Sequence, residues 1–346
     1  MKKRWIIAAC LLPALCRTQT KDQTKDVRIG VLGLFHPRQI VLSATPGKPL
    51  ECMSAEKRWP VQDHLQLQLA ETSIRMLVGT HTFLVASITC NDSQGGQAEF
   101  TVTVPGKISR RYIGKVEIKP QPHELIMIIQ MDLETAVASV VEAESPPQAP
   151  LEALKAQAVA TRSFFVAGKG RHRNFDYCDT THCQFLRAPP GLQAAAFQAT
   201  TATRGLVLAY KDELFAAMYS SSCGGHTHSL EELGLPVRGY PYFSVTCDYC
   251  RRHPQKWVAE ISEADAASLT STESSRLKLA RKLGWKVLPS NSYSSRREGG
   301  GVLLEGVGAG HGVGLCQRGA ADMARKGASF QQILEHYYPN AEVRQR

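Results

Sequence analysis

An α+β fold is predicted, with mixed strands and helices around a substrate cleft and a β-rich N-terminal region. Three observations predict it. Residues 27–130 hold short segments rich in Val, Ile, Thr and aromatics, set among Gly, Pro, Asn and Asp, as strands and turns require. At Asp132 the spacing becomes helical, with Leu133, Ala136, Val137, Val140 and Val141 on one stripe. The last third mixes helical patterns with a Gly-rich run at 302–314.

The elements follow in order. Residues 27–34 (V-R-I-G-V-L-G-L) read as the first strand. Strand signals recur at 39–44, 65–69, 73–78, 82–89, 99–104 and 112–118, with a turn at 91–96 (N-D-S-Q-G-G). A helix over 133–144 stops at Ser145-Pro146-Pro147, and Pro150 suits the first turn of the next, over 151–167. Gly168 and Gly170 end that helix. Then come a helix at 193–200, strands at 206–210 and 214–219, and a loop-like stretch at 223–256. A helix at 266–283 and two closing helices at 317–326 and 330–337 complete the chain. The expected organisation is a leader at 1–17, a linker at 18–26, a β-rich region at 27–104 and a chemical domain at 105–346.

The 346 residues carry a net charge of +10 and 43% hydrophobic residues. A basic surface favours anionic partners: nucleic acid, anionic lipid or an anionic wall polymer. Without an arginine-rich tract or aromatic–basic interleaving, nucleic acid is not expected. Lys2-Lys3-Arg4 followed by the apolar run 5–15 reads as an export signal, too short for a comfortable bilayer span. The bulky Leu15 before Cys16 argues against lipid attachment. An uncleaved leader would remain as an N-terminal tether, the single expected membrane contact. Export places the chain in the periplasm or envelope and permits disulfides. Cys52 and Cys90 share a strand-rich segment and could pair, whereas the connectivity of Cys223, Cys247, Cys250 and Cys316 stays open.

Five stretches carry chemistry. Glu144 ends a helix against a Pro-Pro bend, where a carboxylate beside apolar residues can be a general acid. Glu142 is the rival. Lys155 and Arg162, seven apart, project from one helix face. His172, Cys178, His182 and Cys183 crowd zinc-preferred ligand types into twelve residues. Four ligands make a closed structural site, and three would leave a position for water. The alternatives are a disulfide or free thiols. Tyr219–His228 (Y-S-S-S-C-G-G-H-T-H) could hold a nucleophile, a sugar-binding rim or ligands, or be a polar turn. Its Cys223 and His226 superficially suggest a thiol hydrolase. Cys247-Asp248-Tyr249-Cys250 is a C-x-x-C without an evident partner pair. The glycines of 306–319 lack the features of a phosphate cradle and would present His311 and Gln317 to a cleft.

The run V-V-E-A-E-S-P-P-Q-A-P-L-E-A-L-K-A-Q-A-V-A-T-R at 140–162, the turn Y-S-S-S-C-G-G-H-T and the ending G-H-G-V-G-L-C-Q-R-G-A resemble the SpoIID/LytB family. That family comprises sporulation stage II protein D lytic transglycosylases and amidase enhancers. The likeness runs from about Arg111 to Val343. It implies an exported enzyme that cleaves MurNAc-GlcNAc bonds of peptidoglycan glycan strands, leaving 1,6-anhydro-muramic ends. It implies that Glu144, eight residues before Glu152 of E-A-L-K-A-Q, is the catalytic acid. His172, Cys178, His182 and Cys183 look like the family's zinc ligands, with the zinc expected to be structural. Lys155 and Arg162 would orient Glu144 or bind the lactyl carboxylate. Ser221, Ser222, His226, His311 and Gln317 would line the sugar cleft. Ser145-Pro146 stands where Met-Pro is usual, and Cys316 where Ser is common. Rival readings are a non-catalytic amidase enhancer or wall-binding protein, with an amidase as partner, and a zinc hydrolase.

Overall fold

The computed structural model describes residues 26–168, 170, 172–237 and 239–346. The leader and nearly all of the linker lie outside them. The N-terminal half is strand-built: β1 (Val27–Val31), β2 (Gln39–Ala44), β3 (Leu50–Ser54), β4 (Lys57–Val61), β5 (His64–Ala70), β6 (Ser73–Val78), β7 (His81–Val85), β8 (Ile88–Asn91), β9 (Ala98–Val104), β10 (Ile108–Pro120) and β11 (Leu125–Met131). Helices α1 (Leu133–Glu144) and α2 (Leu151–Ala167) follow, then the short strand β12 (Tyr177–Cys178).

These strands form one 12-stranded sheet ordered β12-β1-β11-β10-β9-β2-β5-β6-β7, with β3, β4 and β8 attached beside the path. Strict alternation drives it. In β9 the residues Ala98, Phe100, Val102 and Val104 are buried, while Glu99, Thr101 and Thr103 face outward. The long β10 binds the sheet together. Its first half pairs with β9, and its second half with β11 and β8. The sheet therefore runs on through residues 105–107. Cys52 and Cys90 stand opposite each other on β3 and β8 and are joined by a disulfide.

Helix α1 lays Val137, Val140 and Val141 on this sheet, in one core with Ile29, Leu42, Val102 and Ile129. Asp132 caps it, accepting from the N–H of Thr135 at 3.0 Å. Helix α2 is buried over most of its length, polar residues included, and packs against two cores. Leu154, Ala158 and Phe165 join the first core, and Ala153, Ala156, Val159 and Ala160 join a second.

Helix α3 (Ala195–Ala202) adds Ala196 and Ala199 to the first core, while β13 (Leu206–Tyr210), the short edge strand β14 (Glu213–Leu214), β15 (Tyr219–Ser220) and α4 (Asp248–Arg252) lead the chain into and around the second. A small satellite follows, with β16 (Lys256–Ser262), α5 (Glu263–Ser268), α6 (Glu273–Leu283), β17 (Tyr293–Glu298) and β18 (Gly301–Val307) around Ile261, Leu279, Leu288 and Leu304. The chain returns through β19 (Leu315–Cys316), α7 (Gln317–Arg325), α8 (Phe330–Tyr337) and β20 (Glu342–Gln345). Strand β20 lies antiparallel on β13, and β19 pairs in parallel with β15.

The mixed fold is as expected, and several elements differ. The expected helix 266–283 is two helices, because Thr272 caps a new one by accepting from the N–H of Ser275. The expected strand 214–219 survives only at its two ends. The first half of the Gly-rich run is strand β18, since Val302 and Leu304 face the satellite core. The apolar run L-I-M-I-I-Q-M at 125–131 is the central strand β11. No helix among the described residues is long and apolar enough to cross a membrane.

Candidate active site

Three separated motifs converge on Glu144, the last residue of α1. Residue Phe185, in the loop after Cys183, donates its main-chain N–H to Glu144 Oε1. Tyr219, at the start of the serine-rich turn, brings its buried hydroxyl close enough to the carboxylate to favour its charge. That hydroxyl makes no hydrogen bond of good geometry here. Gln317, the first residue of α7, donates Nε2 to the main-chain oxygen of Glu144 at 3.1 Å and approaches Gln157 Oε1 at 3.4 Å.

Topology explains the convergence. The parallel pair β15–β19 sets Tyr219 against Leu315 and Ser220 against Cys316. A further bridge joins Ser222 to Ala309. The serine-rich turn and the Gly-rich run thus lie side by side at the end of α1. A small recess lies at the Pro bend, lined by Ser145, Pro146, Gln157, Gln317 and apolar neighbours.

The electrostatics follow from the packing. The residue as a whole is half-buried, with its carboxyl group turned inward. Burial pushes this carboxyl from 4.5 up to about 7, and the Phe185 N–H and Tyr219 hydroxyl pull the other way. Glu142, the rival carboxylate, faces solvent. Burial also raises the Tyr219 phenol well above its ordinary range, with the Glu144 charge adding to the shift.

His172, Cys178, His182 and Cys183 come together. Their ligand atoms all lie within 4.8 Å of one another. His172 Nε2 stands 3.2 Å from Cys183 Sγ, and His182 Nδ1 stands 3.7 and 3.8 Å from Cys183 and Cys178 Sγ. Bonds of about 2.0–2.3 Å to a tetrahedral zinc would space donors by roughly 3.3–3.8 Å. This donor set fits such an ion. The cluster is built on the first sheet. Strand β12 pairs in parallel with β1, Gly30 against Cys178. The ring of Phe175 lies over Gly30, where a Cβ would stand 2.5 Å from it, and packs 4.6 Å from the His172 ring. Asp179 accepts from the N–H of Leu32 at 3.1 Å and from Arg110 Nη1 at 2.8 Å.

Other expected site residues fall elsewhere. Arg162 is fully buried. It forks onto Glu134 at 2.8 and 2.6 Å and donates to the carbonyls of Leu206 and Thr200. A guanidinium so engaged is a clamp between α1, α2, α3 and β13, and it cannot bind a substrate carboxylate. Lys155 is paired with Glu152 at 2.6 Å, which also accepts from the N–H of Phe330 on α8. Ser222 is 1% exposed, with its hydroxyl 3.5 Å from Cys250 Sγ, so it does not line a sugar cleft. Gln317 is 6% exposed and acts on the main chain of Glu144. Ser221 and His226 are exposed, and His311 is half-buried with Nδ1 accepting from the N–H of Val313. Cys223 lies buried with Cys247, Cys250 and Cys316, which speaks against a Cys223–His226 hydrolase. Sequence reasoning missed Phe185, Gln157 and Tyr219. A main-chain donor leaves no residue-type signal, whereas Tyr219 opens a motif already singled out.

A family model described as Stage II sporulation protein matches residues 121–210. The chain is 29% identical over 267 residues to an uncharacterised protein of Brachyspira hyodysenteriae, covering 67% of this chain and 72% of the relative. It is 27% identical to Stage II sporulation protein D of Bacillus amyloliquefaciens, covering 61% and 74%. It is 24% identical to the Amidase enhancer of Bacillus subtilis, covering 59% of this chain and 39% of that protein. These likenesses support a place for the chain in the SpoIID/LytB family.

Proposed function

We propose that this chain is an exported peptidoglycan lytic transglycosylase that cleaves the MurNAc-GlcNAc bonds of glycan strands. One observation carries the reading: a single inward-facing carboxyl, held near pKa 7, stands where three sequence motifs meet. Protonated Glu144 donates to the glycosidic oxygen, and the bond from that oxygen to the muramic anomeric carbon breaks. The muramic 6-hydroxyl attacks the anomeric carbon, and the Glu144 carboxylate takes its proton. An acid with a pKa near the working pH can do both. No water enters, so a second catalytic carboxylate is not needed.

The Phe185 N–H steadies the carboxylate form that follows proton donation. Ser221, His226 and His311 are the residues proposed to meet the sugars. His172, Cys178, His182 and Cys183 would hold a structural zinc. Bound there, the ion would supply no reactive position and would fix the loop that carries Phe185.

The decisive experiment digests peptide-free sacculi and identifies the products by mass. The wild type should release anhydro-muropeptides, and Glu144→Gln should release none while folding normally. Wild-type turnover by Glu144→Gln would reject the role. Absence of products from both, with stimulation of an added amidase, would favour the amidase-enhancer reading that one relative's name suggests.

A further inference from the structure

We propose that Cys223, Cys247, Cys250 and Cys316 form a second zinc site, made of four thiolates. The four sulfurs are buried and all lie within 4.8 Å of one another. Cys250 and Cys316 are 3.5 Å apart. A tetrahedral ion with bonds of about 2.3 Å to sulfur sets neighbouring sulfurs roughly 3.8 Å apart. A 3.5 Å pair within a 4.8 Å cluster leaves room for such an ion. Two disulfides would draw the sulfurs together in pairs at about 2.05 Å. None of these four is so joined, while Cys52 and Cys90 are.

The surroundings suit thiolates. Tyr337 donates its hydroxyl to Cys247 Sγ at 3.4 Å. The Ser222 hydroxyl lies 3.5 Å from Cys250 Sγ. Such outer contacts orient ligands and offset their charge. Gly319 leaves the necessary room, since a Cβ there would stand 2.5 Å from Cys247 Sγ. Soft sulfur ligands in tetrahedral array select zinc over harder ions such as magnesium or calcium.

The four ligands come from three parts of the chain. Cys223 follows β15, Cys247 and Cys250 bracket the start of α4, and Cys316 ends β19. The ion would lock these three segments together. Cys316 directly precedes Gln317, so the same lock would set the amide that holds Glu144. The inference does not depend on the reaction that Glu144 performs.

The test uses the full chain purified without chelator. Its readouts are metal content and zinc-edge X-ray absorption. With both clusters filled, two zinc ions per chain should give an average shell of three sulfurs and one nitrogen. Cys223→Ser/Cys250→Ser should halve the zinc and leave a shell of two sulfurs and two nitrogens. Should that variant not fold, His172→Ala/His182→Ala serves instead, and its remaining zinc must carry four sulfur ligands. A single zinc with four sulfurs in the wild type supports this cluster and removes the other. A single zinc with two sulfurs, iron in place of zinc, or disulfides among the four cysteines would overturn the proposal.

Discussion

Gln317 caps α1 from 173 residues away, its Nε2 donating to the carbonyl of Glu144 at 3.1 Å. The last carbonyls of a helix lack internal partners. Here Pro146 and Pro147 follow and bring no N–H. The side-chain amide of Gln317 fills that need and fixes the residue that carries the acid. Gln317→Ala should destabilise the fold by about 1–3 kcal/mol, the cost of a buried unsatisfied carbonyl. It should lower kcat more than it alters KM, because the acid loses its register. Denaturant unfolding and steady-state digestion of glycan strands check both.

Stability should depend on pH through Glu144. Its carboxyl is raised from 4.5 to about 7, so the folded state favours the protonated form. That contribution is complete below pH 4.5 and is lost as pH rises through 7. Glu144→Gln imitates the protonated side chain and escapes the loss. The variant should match the wild type near pH 4 and exceed it by roughly 2–3 kcal/mol at pH 9. Equal stability curves at both pH values would contradict the burial.

Arg162 is a structural ion-pair partner, and its loss should be felt in folding. Removing it strands the carboxylate of Glu134, whose side chain is 13% exposed. Arg162→Met should therefore cost about 3–5 kcal/mol. Adding Glu134→Gln should recover part of that loss, and the double variant should keep its pH–rate profile. A shifted profile would return Arg162 to the catalytic machinery.

Gly30 lies outside the family-matched segment, yet it should control the metal site proposed at His172, Cys178, His182 and Cys183. A side chain there would displace Phe175 and with it the ring beside His172. Gly30→Val should lower zinc bound at His172, Cys178, His182 and Cys183, read by metal analysis, while leaving the Cys52–Cys90 disulfide formed.

Opening that disulfide should loosen the β-rich region. The bond closes a sequence separation of 38, for which chain entropy gives about 4 kcal/mol. Cys52→Ala/Cys90→Ala should show this loss on thermal unfolding, with zinc content unchanged.

Local pattern made α1 and α2 legible to the residue, because the stripe at 133–141, the Pro-Pro stop and the helix-ending Gly168 act within one or two turns. Glu144 was legible through its motif. Its partners were not, since Phe185 offers only main chain and Gln317 arrives through the parallel pairing of β15 with β19. The C-x-x-C at 247–250 looked solitary because its companions, Cys223 and Cys316, lie in other segments. Arg162 misled by its spacing. A shared helix face with Lys155 says nothing about which neighbour that face meets, and here it meets Glu134.

Strand β1 has a practical consequence for anyone trimming this protein. The family-matched segment begins at residue 121, but the main chain of Gly30 is hydrogen-bonded alongside Cys178, and Leu32 anchors Asp179. A fragment starting there would strip the flank from β11 and β12 and bare the apolar surface under α1. Such fragments should clump when expressed.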